Sequence, residues 1–132
     1  MTKEEMANQK KPNGEPVMDP AFMKSAMEDF FAHLMSLCEK KNRGYAQTDV
    51  TGDALHNFRQ AEQDWDVSMM RYAGILQGKH IAAWKTWVRT GEAPDKPWRI
   101  LGDIAVYCFL KYCIGIDQGD WTHKQVMEDV AE

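Results

Sequence analysis

The stretch MMRYAGILQGKHIAAWKTWVRTG, residues 69–91, decides the fold. Met69, Ala73, Leu76, His80, Trp84 and Trp87 recur at steps of three and four, the spacing that gathers side chains on one face of an α-helix. Gly91 follows the last of them and supplies the stop that helices commonly take from a glycine. The helix is expected to begin just after Asp66, with Asp66 as its N-cap. Upstream, Asp19 reads as an N-cap with Pro20 at the first helical position, where a missing N–H costs nothing. The residues Met23, Met27, Phe30, Leu34 and Leu37 then form a coiled-coil-like seam, widened by Phe31 and Cys38, and predict a helix packed against a partner. Leu55, Phe58 and Ala61 give a short stripe capped by Thr51 or Asp53. Beyond the Pro94–Pro97 loop, Trp98, Leu101, Ala105, Cys108 and Tyr112 form another stripe, and the run Ile104 to Leu110 is apolar nearly all round, which predicts the most buried helix. Thr122 and Gln125 have capping-box spacing ahead of a thin apolar face, Val126 and Val130. No segment alternates apolar and polar residues with period two, so strands are not expected. The fold class is all-α, a bundle of four to five helices.

Size and charge narrow the rest. A chain of 132 residues with 44% hydrophobic content fits one domain, expected over residues 19–132. Residues 1–18 carry Lys10, Lys11, Pro12, Asn13, Gly14 and Pro16 with scarcely any apolar periodicity, and are expected to form a flexible arm. A net charge of −4 and a pI near 5.6 argue against duplex nucleic acid, whose binders cluster Lys and Arg. Cys38, Cys108 and Cys113 leave one thiol over in any disulfide scheme and have no metal-ligand spacing, so reduced, mostly buried thiols are expected. Met1 to Lys11 lacks the apolar core of a secretory signal, and Ile104 to Leu110 is too short to cross a bilayer, so the expectation is a cytoplasmic protein without a membrane partner.

Several polar groups sit between the helical stripes where packing does not ask for them: Lys41-Asn42-Arg43-Gly44-Tyr45, then Asn57-Phe58-Arg59, Lys79-His80, and a stretch from Arg99 to Tyr107. Lys41, Arg43, Arg59 and Lys79 suit phosphate, Arg59 with a bidentate fork. Asn42 and Asn57 suit base or sugar edges, and Tyr45 or Phe58 suits stacking on a base. His80, polar on an apolar stripe, suits proton transfer near neutral pH. Plainer roles stand beside each: Lys41 and Arg43 complement a helix C-terminus, Asn57 bonds local backbone, Phe58 fills core, His80 is a hydrogen-bonded core histidine, and Arg99 with Asp103 makes an i,i+4 salt bridge. The densest acidic group is Glu62, Asp64 and Asp66, of which Glu62 and Asp66 share a helix face if the helix persists that far; the plainer reading is a solvated helix end with Asp66 as N-cap.

The order and spacing of these blocks resemble a family of small phage and prophage proteins associated with nucleotide modification, similar to the MazG-like all-α nucleotide pyrophosphohydrolases, over roughly residues 25–115. The resemblance implies a MazG-like helical bundle that recognises a (deoxy)nucleoside phosphate in the cytoplasm of a host cell. It also implies Mg²⁺ as cofactor and association into homo-oligomers. It puts Lys41, Asn42, Tyr45, Asn57, Arg59, Lys79 and Tyr107 on the substrate, His80 and Asp103 in catalysis, and Asp103 with Glu62 at the metal. Related sequences often read Lys-Asn-x-Asp-Tyr in the first block and Asp-Lys in the third, where this chain has Gly44 and Gly78; the residues before Asp103 likewise lack a second acid, Arg99 and Ile100 standing there. Three classes stay open: a Mg²⁺-dependent nucleotide pyrophosphohydrolase, a nucleotide-binding protein without turnover, and a non-catalytic module that binds a host or virion protein, suggested by five Trp and nine Met.

Overall fold

Local groups settle the unpaired backbone at several of the helix ends. In the computed structural model, which describes residues 17–45 and 52–131 without the side chains of 42–45, five helices follow one another and the described residues contain no strand. Helix α1 spans Pro20–Tyr45, α2 His56–Trp65, α3 Met69–Thr90, α4 Pro97–Asp117 and α5 His123–Ala131. Asp19 caps α1 as expected, its Oδ1 accepting from Phe22 N–H at 2.8 Å. Asp53 organises the turn into α2 by accepting Leu55 N–H at 3.0 Å, while Thr51 lies outside the described residues. The capping box of α5 is reciprocal: Thr122 N–H donates to Gln125 Oε1 at 2.9 Å and Gln125 N–H to Thr122 Oγ1 at 3.1 Å. Gly91 ends α3 with φ 77°.

One cap differs from expectation. Asp66 does not start α3; it ends α2 in the left-handed conformation, φ 50°, which an Asp tolerates better than most side chains. Two residues later Ser68 takes the N-cap role and accepts from Arg71 N–H at 3.2 Å. The two helices are joined so tightly that the sequence offers one capping residue to each.

Helices α3 and α4 run antiparallel and form the principal pair. The core consists of Leu55 and Phe58 from the α2 region, Met69 and Ala73 from α3 and Ile114 from α4, with Tyr72, Leu76, Tyr107 and Leu110 packed against it. Helix α4 does contribute the most buried positions, yet its buried side is Ile100, Val106 and Ile114. The expected stripe faces outward at its start, where Trp98 and Leu101 are exposed. A helix apolar nearly all round gives periodicity little power to choose a face. Cys108 is also exposed and Cys38 and Cys113 are half-buried, so the thiols are free but less enclosed than expected.

Between α3 and α4 sits Gln77, only 4% exposed. Its amide donates to Ile104 O at 2.9 Å and to Cys108 Sγ at 3.3 Å, and its Oε1 accepts from Lys111 Nζ. Burial of an amide costs free energy unless every polar atom is paired, and here both are. Helix α5 is held against α4 by Trp121, whose indole N–H donates to Tyr112 O at 3.2 Å, and by a 2.6 Å bond between Tyr112 hydroxyl and His123 Nδ1. Helix α1 packs chiefly against α4. Of the residues expected as the arm, only 17 and 18 are described.

Two glycines make the packing testable. At Gly115 a Cβ would collide with the Trp121 ring, whereas Gly78 on α3 faces open space. Gly78→Ala is expected to stabilise the protein by about 0.5–1 kcal/mol through helix propensity. Gly115→Ala should instead cost about 1–3 kcal/mol from overpacking and shift tryptophan emission. Urea denaturation followed by fluorescence checks both; equal gains at the two positions would show that Trp121 is not seated on Gly115.

Candidate functional site

A cavity of about 880 Å³ lies between the C-terminal part of α1, the turn into α2, and helices α2, α3 and α4. Its size suits a small organic ligand. The wall is mainly apolar, built from Phe58, Tyr72, Leu76, Val106, Leu110 and Ile116, and polar groups enter from two sides.

On one side stand Lys41, His80 and Tyr107. Lys41 Nζ bonds Asp103 Oδ1 at 2.6 Å, and His80 Nδ1 lies 3.6 Å from Asp103 Oδ2. The second separation exceeds a hydrogen bond but keeps the carboxylate beside the ring. His80 stacks on Tyr107 with centroids 5.6 Å apart and 27° between planes. Asp103 and Tyr107 are one helical turn apart on α4, so a single face presents both to His80 of α3 and to Lys41 of α1. Arg99 does not pair with Asp103; its guanidinium lies 3.7 Å from Asp95.

On the other side Asn57, Asp53 and Asp117 line the cavity, and Arg59 ties the two acids together. Arg59 donates Nε–H to Asp53 Oδ2 at 2.6 Å, and its Nη1 and Nη2 donate to the two oxygens of Asp117 at 2.8 and 2.7 Å. Asp53 Oδ1 also accepts from Nη2 at 3.3 Å. The fork that suits phosphate is spent on two carboxylates. Hydrogen bonds from Arg59 hold the Asp53 and Asp117 carboxyls below the usual carboxylate range, and the two acids push the guanidinium further up.

Of the residues singled out in the sequence, Lys41, Asn57, His80 and Tyr107 meet at the cavity, with Asp103 behind two of them. Arg59 bonds lining acids without being part of the wall. Lys79 is exposed and not part of the wall, and the same holds for Glu62 on α2. The side chains of Asn42 and Tyr45 lie outside the described residues. Reading the sequence missed Asp117 altogether and took Asp53 only as a cap, since a contact between positions 58 residues apart leaves no periodic trace. It also missed the wall thiols: burial pushes Cys38 up against the pull of Lys41, and burial together with Cys38 pushes Cys113 up. Among the described residues no three His, Cys, Asp or Glu side chains are grouped to hold a metal ion. No described helix is long and apolar enough to cross a membrane. No family model, curated protein or solved structure matches the chain.

The Arg59 bridge sets a pH dependence. Depressed carboxyl values mean that its stabilisation is complete above the unfolded carboxylate range and disappears as pH falls through the folded values. The three side chains are 29–39% exposed, so solvent screening limits the effect. Arg59→Ala is expected to cost on the order of 1 kcal/mol at neutral pH. The gap to the unsubstituted protein should stay constant down to about pH 5 and close below about pH 4. Melting curves across that range check it; a gap that widens on acidification would exclude the bridge as its source.

Proposed function

We propose that the cavity binds a (deoxy)nucleoside phosphate or a similar phosphorylated small molecule. The observation that carries this reading is the convergence of Lys41, Asn57, His80 and Tyr107 on one aromatic-walled cavity from four separate stretches of the chain. Lys41 is the cation in the described wall and takes the phosphate. The rings of Tyr107 and Tyr72 in the wall suit a base, and the Asn57 amide offers both a donor and an acceptor to base or sugar edges. The lining acids Glu39, Asp53 and Asp117 disfavour a ligand of high negative charge unless counterions accompany it.

A Mg²⁺ cage does not fit the described side chains. A hard cation takes six or more oxygens, whereas one oxygen of Asp103 is bonded by the Lys41 ammonium and Glu62 is exposed outside the cavity. Recognition is therefore placed ahead of metal-dependent hydrolysis, with His80 as the group suited to hold or deliver a proton beside a phosphate. Asp103 orients His80 and holds Lys41 in this reading. A MazG-like relationship accords with the helical composition and with the place of Asp103 ahead of an apolar run. A protein-binding role has one observation in its favour, the exposed apolar surface of α1.

Isothermal titration with nucleosides, nucleoside monophosphates and triphosphates, with and without Mg²⁺, tests the proposal. Lys41→Ala is expected to weaken binding of a phosphorylated ligand by about 1.5–3 kcal/mol, roughly 10- to 100-fold, and to leave nucleoside binding nearly unchanged. Lys79→Ala, outside the cavity, should bind as the unsubstituted protein does. Equal losses for the two lysines, or no binding by any nucleotide, would remove the assignment.

A further inference from the structure

We infer that the cavity selects a ligand with a single phosphate group, a nucleoside monophosphate in preference to a di- or triphosphate. The inference rests on the proposed phosphate reading and adds to it the amount of charge the site accepts. Three carboxylates, Glu39, Asp53 and Asp117, stand in the wall with Lys41. A fourth, Asp103, holds the Lys41 ammonium at 2.6 Å. A ligand phosphate must therefore share its cation with one acid and lie in the field of three others. Each further phosphoryl group adds negative charge, and among largely apolar side chains like charges repel more strongly than in bulk water.

The acids act on both sides of the cavity. Glu39 stands two residues before Lys41 on the same helix, so its carboxylate belongs to the phosphate side. On the far side Arg59 holds Asp53 and Asp117 ionised, and its guanidinium donates to them in four hydrogen bonds of 2.6 to 3.3 Å. A phosphate chain reaching that side meets two carboxylates, with the fork beside them already turned to protein. N–H and O–H donors are what that side accepts. Asp117 receives two bonds from Arg59, whereas a carboxylate has about four lone-pair sites. The amino edge of a base or the hydroxyls of a sugar suit it, which leaves the phosphate at Lys41 and favours no extension of it.

Isothermal titration of the full chain with the mono-, di- and triphosphates of adenosine and cytidine, in Mg²⁺-free buffer, tests the inference. The monophosphate of the better base is expected to bind roughly tenfold or more tightly than its triphosphate, and the ratio should shrink as salt rises. Charge variants should move that ratio in opposite directions. Glu39→Gln, exposed on α1, should narrow it about twofold or more, and Arg59→Gln, which removes the cation between Asp53 and Asp117, should widen it. If Arg59→Gln does not fold, Asp117→Asn, which keeps an acceptor for Arg59, should narrow the ratio as Glu39→Gln does. A triphosphate that binds as tightly as the monophosphate, or a ratio that salt and Glu39→Gln both leave unchanged, overturns the inference. The phosphate reading survives that result if Lys41→Ala still weakens binding; failure of every nucleotide to bind overturns both.

Discussion

The buried amide of Gln77 fixes where everything else sits. Its two donor contacts fall on Ile104 and Cys108, one turn apart on α4, and its acceptor takes the Lys111 ammonium a turn further on. Sliding α3 along α4 by one turn would leave a polar side chain buried with its partners displaced, at a cost of about 1–3 kcal/mol for each unsatisfied group. Apolar packing alone would tolerate such a slip better, because α4 is apolar nearly all round. The register so defined brings His80 opposite Asp103 and Tyr107, and sets Tyr72 and Leu76 across from Leu110 and Cys113. The cavity wall is thus a consequence of one satisfied polar group in an apolar seam.

That dependence explains what was legible in the sequence. Helix positions followed from local signals, since Asp19, Gly91 and the Thr122/Gln125 box each act within four residues. The joint at Asp66 was misread because a left-handed Asp ending one helix and a capping Asp starting the next look alike in one dimension. Lys41, Asn57, His80 and Tyr107 could be chosen as polar residues at positions packing did not require. Their meeting at one cavity could not be read from spacing, since it rests on the register of α3 and α4 and on where α1 crosses. Gln77 and Asp117 drew no notice in the sequence, because the partners that define them lie 27 to 58 residues away.

Arg59 changes the electrostatics more than its formal charge suggests. Four N–H groups are turned to Asp53 and Asp117, so its charge is spent holding the turn before α2 to the end of α4. Without that cation two acids at one side of the cavity would repel each other, and the segment Asp53–Leu55 would lose its tie to α4. The bridge is a structural clamp on the cavity rim. Under the proposed function, phosphate recognition falls to the opposite side, where Lys41 is shared with Asp103. An ammonium already paired is a weaker anion site than a free one, yet it is held in place, and a ligand phosphate competes with a carboxylate for it.

Helix α1 links these two themes. Its C-terminal part supplies Cys38, Glu39 and Lys41 to the cavity wall, while its N-terminal half presents exposed apolar side chains. A continuous helix transmits position along its axis because its backbone hydrogen bonds are made within it. Its contacts with α4, Leu37 beside Gly102 and Lys41 beside Asp103, fix the C-terminal part of this rod against the body of the chain. Under the proposed function, a Lys41 already ordered by Asp103 loses less entropy on taking a phosphate than a free lysine would.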